Sequence, residues 1–204
     1  ERELDGVGPR EGTNAKISRD IVRGYDENIC RYVKQIGGNR GGIRLKYFQY
    51  IACLFTEMYL DRYFTDKVAF AADLIAFAEK EKNATLGGID IQPFKPENMN
   101  KLAFMSATGS GKTLIMHINI SQFQHYLKRA RLVNPHTVIN KIIVLAPNEG
   151  MANQHLDELK LSHIQAEMFT KGLGSCGSDV VVIDMHQLKE EGKVKTVSVD
   201  SFEQ

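Results

Sequence analysis

A short glycine-rich segment in the middle of the chain has the residues needed to bind a phosphate group. Residues 106–113 read SATGSGKT. Gly109 and Gly111 allow the backbone to curl so that successive N–H groups point at one anion. Lys112 can reach the β- and γ-phosphates of a nucleotide, and Thr113 can ligate Mg²⁺. We therefore predict a phosphate loop over residues 106–113, with Lys112 and Thr113 as catalytic residues and with ligand contacts from Thr108, Gly109, Ser110, Gly111, Lys112 and Thr113.

The elements on either side of the phosphate loop are those that such a site requires. An apolar run at 102–105 predicts a buried strand, and Leu114, Ile115 and Ile118 predict one side of a helix. Strand, turn and helix in this order bring the positive end of a helix dipole to the anion. Ser106 stands where the strict pattern has Gly or Ala, but Ser is also small. The alternative is a glycine-rich turn that binds nothing.

Composition limits the class of protein without selecting a function. With 204 residues and 43% hydrophobic content, the chain can form one or two domains with a real core. A net charge of +1 provides no overall field for nucleic acid, so any such contact must be local. Cys30, Cys53 and Cys176 lack CxxC spacing, which indicates reduced thiols in a cytoplasm and argues against a zinc site. No membrane span or leader is evident, and the chain, which starts without Met, can be a piece of a longer protein.

The first hundred residues predict a helical region. Residues 1–18 are polar and glycine-rich, typical of a loose lead-in, and residues 21–33 have a helical pattern. The run GGNRGG at 37–42 predicts a flexible loop, with a phosphate-contacting loop as the alternative. Apolar spacing and turn residues then predict amphipathic helices over 43–64 and 67–82 and a linker over 87–96.

Strands alternate with helices in the second half of the chain. The helix after the phosphate loop should end near Arg131. Beyond it the pattern predicts a strand at 141–146, a helix at 150–161, a strand at 164–169, a loop at 171–178, a strand at 179–184 and an edge or hairpin strand at 193–199. This alternation implies parallel pairing in an α/β architecture. Ligands collect at the carboxyl ends of such strands, where the phosphate loop, Pro147 and Asp184 would lie.

These motifs together resemble those of superfamily 2 helicases of the DEAD/DEAH-like type. The helicase subunit of type III restriction enzymes and related phage-defence proteins are the most similar. The phosphate loop corresponds to motif I, VLAPNEGMANQ at 144–154 to motif Ia, and VVVIDMHQL at 180–188 to motif Ib. RLKYFQ at 44–49 is similar to the adenine-reading glutamine motif. The resemblance covers about residues 43–204 and is most specific at motif I.

The resemblance implies a fold, cofactors and partners. The fold is an α/β, P-loop RecA-like parallel sheet over 99–204, an incomplete first motor domain, preceded by a helical region over 1–98. ATP and Mg²⁺ are the expected cofactors. Nucleic acid, taken as DNA, is the expected track, and a nuclease or methyltransferase subunit the expected partner. The site residues carried over are Gln49 for adenine and Pro147, Asn148 and Gln154 for nucleic acid. Because Gln49 lies farther from the phosphate loop than in compact members, an insertion must loop out between them.

ATP hydrolysis requires an acidic pair, and the sequence offers only Asp184. The chemistry needs an Asp on Mg²⁺ and a Glu that deprotonates the attacking water. Asp184 is followed by Met185, so we assign it to motif Ib, although that motif usually has Thr or Ser after its strand. The family places its DExH motif beyond a stretch such as residues 196–203. We therefore expect this chain to bind ATP and hardly hydrolyse it.

Two other functions remain as alternatives. One is a small self-contained P-loop kinase or ATPase that uses Asp184 for magnesium, and the other is a non-catalytic nucleotide-binding scaffold. A kinase lid needs late arginines, and none follows Arg131, which weighs against the first.

Some candidate site residues also have a structural interpretation. Gln49 could be an ordinary residue on a helix surface. The aromatic residues beside it are assigned to the core and not to a stacking platform: Tyr47, Phe48 and Tyr50. The amides after Pro147 either contact a nucleic-acid backbone or cap the next helix: Asn148, Asn153 and Gln154. The six histidines are dispersed, which argues against a metal site.

Overall fold

A computed structural model describes residues 18–84, 95–137, 139–169 and 177–188. Three predictions lie largely or wholly outside these residues: the lead-in at 1–18, the linker at 87–96 and the edge strand at 193–199. Most of the loop at 171–178 lies outside them as well. In the described part of the chain no helix is long and apolar enough to cross a membrane.

Among the described residues, three α-helices precede the phosphate loop, as the sequence predicts. They are α1 (Arg19–Gly37), α2 (Tyr47–Thr65) and α3 (Lys67–Ala84). The Ser18 hydroxyl accepts a hydrogen bond from the Ile21 N–H at 3.3 Å and caps α1. At its other end α1 runs into a short 3-10 turn, Gly38–Arg40. Gly41 and Gly42 follow with φ of 69° and 94°, a conformation that suits glycine, so the GGNRGG run is the break between α1 and α2.

The second half of the described chain forms a parallel sheet with helices, which confirms the α/β prediction. Its elements are α4 (Lys112–Val133), β1 (Ile142–Ala146), α5 (Glu149–Leu161), β2 (Ala166–Met168) and β3 (Val180–Asp184). The strand order is β1-β3-β2, and both pairings are parallel. In the β1–β3 register Ala146 lies opposite Asp184, so the two strands end together. Runs rich in β-branched residues predict β1 and β3, β2 lies within the strand predicted at 164–169, and α4 ends close to the predicted Arg131.

The buried strand predicted at 102–105 is wrong. These residues form no strand, and Leu102 and Phe104 are exposed while Met105 is fully so, at 100%. A strand needs a neighbour for its backbone hydrogen bonds. The described sheet has the order β1-β3-β2, and the segment pairs with none of its strands. Apolar composition alone therefore did not specify sheet pairing here.

The described residues form three hydrophobic clusters, and α4 contributes to the two larger ones. The sheet core contains Ile120, Val144, Ala146, Ala152, Leu159, Ile164, Val180 and Val182. The helical core contains Ile29, Tyr32, Ile36, Cys53, Ile115 and Ile118. Because α4 begins directly after the phosphate loop, both clusters fix the orientation of the helix that carries Lys112 and Thr113.

The assignment of the aromatic residues near Gln49 to the core is wrong for two of the three. Tyr47 is 73% exposed and Phe48 is 45% exposed. They occupy the first turn of α2, whose buried side is formed by polar residues as well as apolar ones. Tyr50 is half-buried and donates its hydroxyl hydrogen to Asp26 Oδ1 at 2.9 Å.

Candidate functional site

The phosphate loop has the backbone conformation that an anion-binding turn requires. Gly109 and Gly111 adopt φ of 74° and 84°, in the left-handed region. Gly111 is the N-cap of α4, and its carbonyl accepts hydrogen bonds from Leu114 N at 3.0 Å and Ile115 N at 3.2 Å. The backbone N–H groups of Lys112 and Thr113 occupy the first turn, where a helix has no internal acceptors. The loop thus directs the positive end of a 22-residue helix toward its concave side.

Lys112 is folded back onto the phosphate loop. Its ammonium group donates hydrogen bonds to the carbonyl oxygens of Ser106 at 3.1 Å and Ala107 at 3.2 Å. The residue is exposed, so these contacts are easily exchanged for those of an incoming anion. An exposed cation beside the first-turn N–H groups of α4 suits a polyphosphate.

The other predicted loop residues differ in how exposed they are. Thr108 and Gly109 are exposed, whereas Ser110, Gly111 and Thr113 are half-buried. The hydroxyl oxygen of Ser110 is buried and has no hydrogen-bond partner among the described residues. Thr113 begins α4 beside Lys112, so its hydroxyl is available as a hard oxygen ligand of the kind that Mg²⁺ prefers.

Gln49 contacts the phosphate loop directly. Its side-chain nitrogen donates to the Ser110 carbonyl at 2.7 Å, across 61 positions of sequence. Its side-chain oxygen accepts from the Lys46 N–H at 2.8 Å, which caps the start of α2. Gln49 is only 6% exposed, so it is not an ordinary residue on a helix surface.

The segment assigned to nucleic acid forms the junction of β1 and α5. Pro147 and Asn148 are exposed directly after the carboxyl end of β1, and Gln154 is exposed on α5. Asn148 is the N-cap of α5, and its side-chain oxygen accepts from Met151 N at 2.9 Å. Asn148 therefore caps α5, and contact of Pro147, Asn148 and Gln154 with nucleic acid remains a prediction.

Asp184 lies at the carboxyl end of the central strand. It is 7% exposed, and its Oδ1 accepts a hydrogen bond from the backbone N–H of His186 at 2.9 Å. This bond stabilises the short helical turn Met185–Leu188. Among the described residues no group of three or more His, Cys, Asp or Glu side chains could hold a metal ion.

A partly buried polar bridge between α4 and two other elements was not predicted. Arg40 donates to Glu158 Oε2 at 2.5 Å and to Ser162 Oγ at 3.2 Å, and the Ser162 hydroxyl also lies 2.7 Å from His117 Nδ1. The bridge joins the turn after α1 to α4 and to the end of α5. Burial, with the positive charge of Arg40 nearby, lowers the pKa of His117 to about 4, so the ring is neutral at physiological pH. Arg40 lies in a glycine-rich run, and no local pattern marks it as a structural residue.

The fold and the loop define a class of protein, and one comparison gives the family. A helical region followed by a parallel α/β sheet is the architecture of an incomplete RecA-like domain. The family model for the res subunit of type III restriction enzymes matches residues 60–201. This is more than half of the 204 residues, so the chain belongs to that family, and the predicted family is confirmed.

Family membership supports a helicase-like, ATP-dependent function in a restriction system. The match begins at residue 60, so Gln49 lies outside it. Neither a search of curated proteins nor a search of solved structures produced a match.

Proposed function

We propose that the phosphate loop binds ATP with Mg²⁺ and that the chain is the ATP-binding portion of a DNA helicase or translocase of a restriction or phage-defence system. The observation that carries the proposal is the curled loop at the start of α4, with φ of 74° at Gly109 and 84° at Gly111. Lys112 lies against the loop carbonyls, where it can turn to a phosphate. Family membership favours this function over a kinase or a non-catalytic scaffold.

The chemistry of the loop residues is suited to a nucleoside triphosphate. The backbone N–H groups would bind phosphate oxygens, and Lys112 would neutralise charge on the β- and γ-phosphates. Thr113 would hold Mg²⁺, which draws negative charge from the phosphate oxygens when bound. Gln49 would favour adenine through an amide that donates and accepts at once.

DNA contact at the β1–α5 junction is part of the same proposal. The N-terminus of α5 follows the carboxyl end of β1, and helix N-termini attract phosphate. Pro147 is exposed at this junction, and Gln154 is exposed on α5. The net charge of the chain, +1, does not oppose a weak, sequence-independent contact with DNA. A nuclease or methyltransferase subunit would be the protein partner. The boundary between a helical region at 1–98 and an ATPase domain at 99–204 stays a prediction.

The experiment that tests ATP binding is calorimetric titration of Lys112→Ala with MgATP. Removing the ammonium group takes away the one flexible cation of the loop while the backbone donors remain. A charge-assisted hydrogen bond contributes about 1.5–3 kcal/mol, so we expect affinity to fall by about ten- to a hundredfold.

Lys101→Ala is the matched control, because Lys101 is an exposed lysine of the same segment but lies outside the loop. It should bind as the native chain does. Equal affinity in the native chain and in Lys112→Ala would contradict the proposal.

A further inference from the structure

The contact between Gln49 and the phosphate loop exists without any base. Both ends of the Gln49 amide are held: the nitrogen by the Ser110 carbonyl at 2.7 Å and the oxygen by the Lys46 N–H at 2.8 Å. A side chain that is 6% exposed and bonded at both ends has little rotational freedom left. Gln49 is therefore a fixed support on which the loop rests.

The loop is also shaped to fit Gln49. A Cβ atom built on Gly111 would lie 2.5 Å from the Gln49 side-chain nitrogen, closer than side-chain carbons approach one another. The φ of 84° at Gly111 excludes most other residues independently. Gly111 is thus required both for the turn and for the close approach of Gln49.

The hydrogen bond to Ser110 fixes the orientation of one peptide group of the loop. In a planar trans peptide the C=O and the N–H of the next residue point in opposite directions. Because Gln49 holds the Ser110 carbonyl, the N–H of Gly111 must point away from Gln49. A loop that binds phosphate through its N–H groups needs this orientation before the ligand arrives, since preorganised donors lose less entropy on binding.

We propose that Gln49 is a positioning residue for the phosphate loop, which sets its donor geometry for any polyphosphate whatever base is attached. This inference rests on the proposed binding of a triphosphate in the loop. A positioning role and adenine recognition can be distinguished by the ligands whose binding weakens when Gln49 is replaced. If Gln49 only reads adenine, its loss weakens ATP alone. If Gln49 positions the loop, its loss weakens ATP, GTP and inorganic tripolyphosphate alike, because the last has no base.

The test is titration of the native chain and of Gln49→Met with MgATP, MgGTP and magnesium tripolyphosphate. Methionine keeps the length of the side chain and adds no charge that would repel the ligands. Loss of one positioning hydrogen bond should weaken binding of GTP and tripolyphosphate by a similar factor, roughly five- to tenfold, and binding of ATP by at least as much, because the proposed adenine contact is lost with it. Gln35→Met is the control, because Gln35 is an exposed glutamine on α1. It should leave all three affinities unchanged.

The outcomes separate this inference from the function on which it rests. Weaker binding of ATP alone, or unchanged binding of all three ligands, would overturn the positioning role and leave triphosphate binding intact. Failure of the native chain to bind any of the three would overturn the proposed function itself. Urea unfolding of each variant separates a local effect from loss of fold, and Gln49→Ala serves as a second variant if Gln49→Met does not fold.

Discussion

The two larger cores of the molecule are built from different kinds of residue. The sheet core is a cluster of apolar side chains, and β3 is buried at all five of its positions, of which only the last, Asp184, is polar. The interface between α1, α2 and α4 combines apolar side chains with buried polar ones: Thr56, Glu57, Ser121 and Gln122. The stability of the apolar sheet core depends on how well the volumes and shapes of its side chains fit together. The stability of the helical interface depends on whether each polar atom finds a partner, which makes it sensitive to single atoms and to pH.

Glu57 is the clearest case of a polar group inside the helical interface. It is fully buried, and its Oε2 accepts from the Tyr126 hydroxyl at 2.6 Å and from Asn28 Nδ2 at 3.2 Å. Its other oxygen has no hydrogen-bond partner among the described residues. Burial raises the pKa of the Glu57 carboxyl, while its hydrogen bonds and the positive charge of Arg31 oppose the rise.

The largest effect is expected in the apolar core. Leu159 is fully buried on α5, so Leu159→Ala should leave a cavity in the sheet core and lower the free energy of unfolding by about 2–5 kcal/mol. Leu161, two positions later on the same helix, is 44% exposed, and Leu161→Ala should cost much less. Urea unfolding of both variants measures the difference. Equal losses would mean that burial does not decide stability on this helix.

A smaller, pH-dependent effect is expected from Glu57→Gln. Because the folded-state pKa of Glu57 is raised above its unfolded value, its contribution to stability is full below the unfolded pKa and is lost as pH rises through the folded pKa. The amide cannot ionise. The free energy of unfolding of the variant should therefore rise relative to that of the native chain as pH increases from acidic to neutral values. The gain should be about 1–3 kcal/mol, the cost of a buried group without a partner.

Urea unfolding from pH 4 to pH 8 measures this change. Glu27→Gln, at an exposed position on α1, is the control and should change stability little over the same range. Parallel stability curves for Glu57→Gln and the native chain would show that the buried carboxyl does not make the helical interface sensitive to pH.

The smallest effect is expected at the surface of the helical region. Arg129 donates to Asp61 Oδ1 at 2.8 Å, but the Arg129 side chain is 60% exposed. Exposed ion pairs contribute about 0–1 kcal/mol, so Arg129→Ala should lower the unfolding free energy by no more than that. The loss should shrink further in concentrated salt. A loss above 2 kcal/mol would place this pair in the same class as the buried polar groups.

The apolar half of the fold could largely be predicted from sequence. Runs such as 142–146 and 180–184 are β-branched, of strand length and bounded by turn residues, so local pattern decides them. The segment at 102–105 is also apolar but contains no β-branched residue, and it pairs with no strand in the described fold. Exposed Tyr47 and Phe48 show the same weakness, since aromatic character alone did not indicate burial.

The candidate site also has a part that could be predicted from the sequence and a part that could not. The phosphate loop is local, so its glycines, lysine and threonine could be predicted from adjacent positions. Gln49 was selected through resemblance, and its bond to Ser110 depends on the packing of α2 against α4. Arg40 and His117 meet at Ser162 only because three separate elements converge there. Contacts of this kind carry no periodic signal in a single sequence.

Because α4 belongs to both cores, it influences how the molecule unfolds. α4 supplies Ile115 and Ile118 to one core and Ile120 to the other, all within two turns. Loosening either core therefore removes packing from the same short stretch of helix and weakens the other core. Regions coupled in this manner behave as a single cooperative unit instead of separate foldons. The turn of α4 next to Lys112 should consequently be among the last parts of the chain to open.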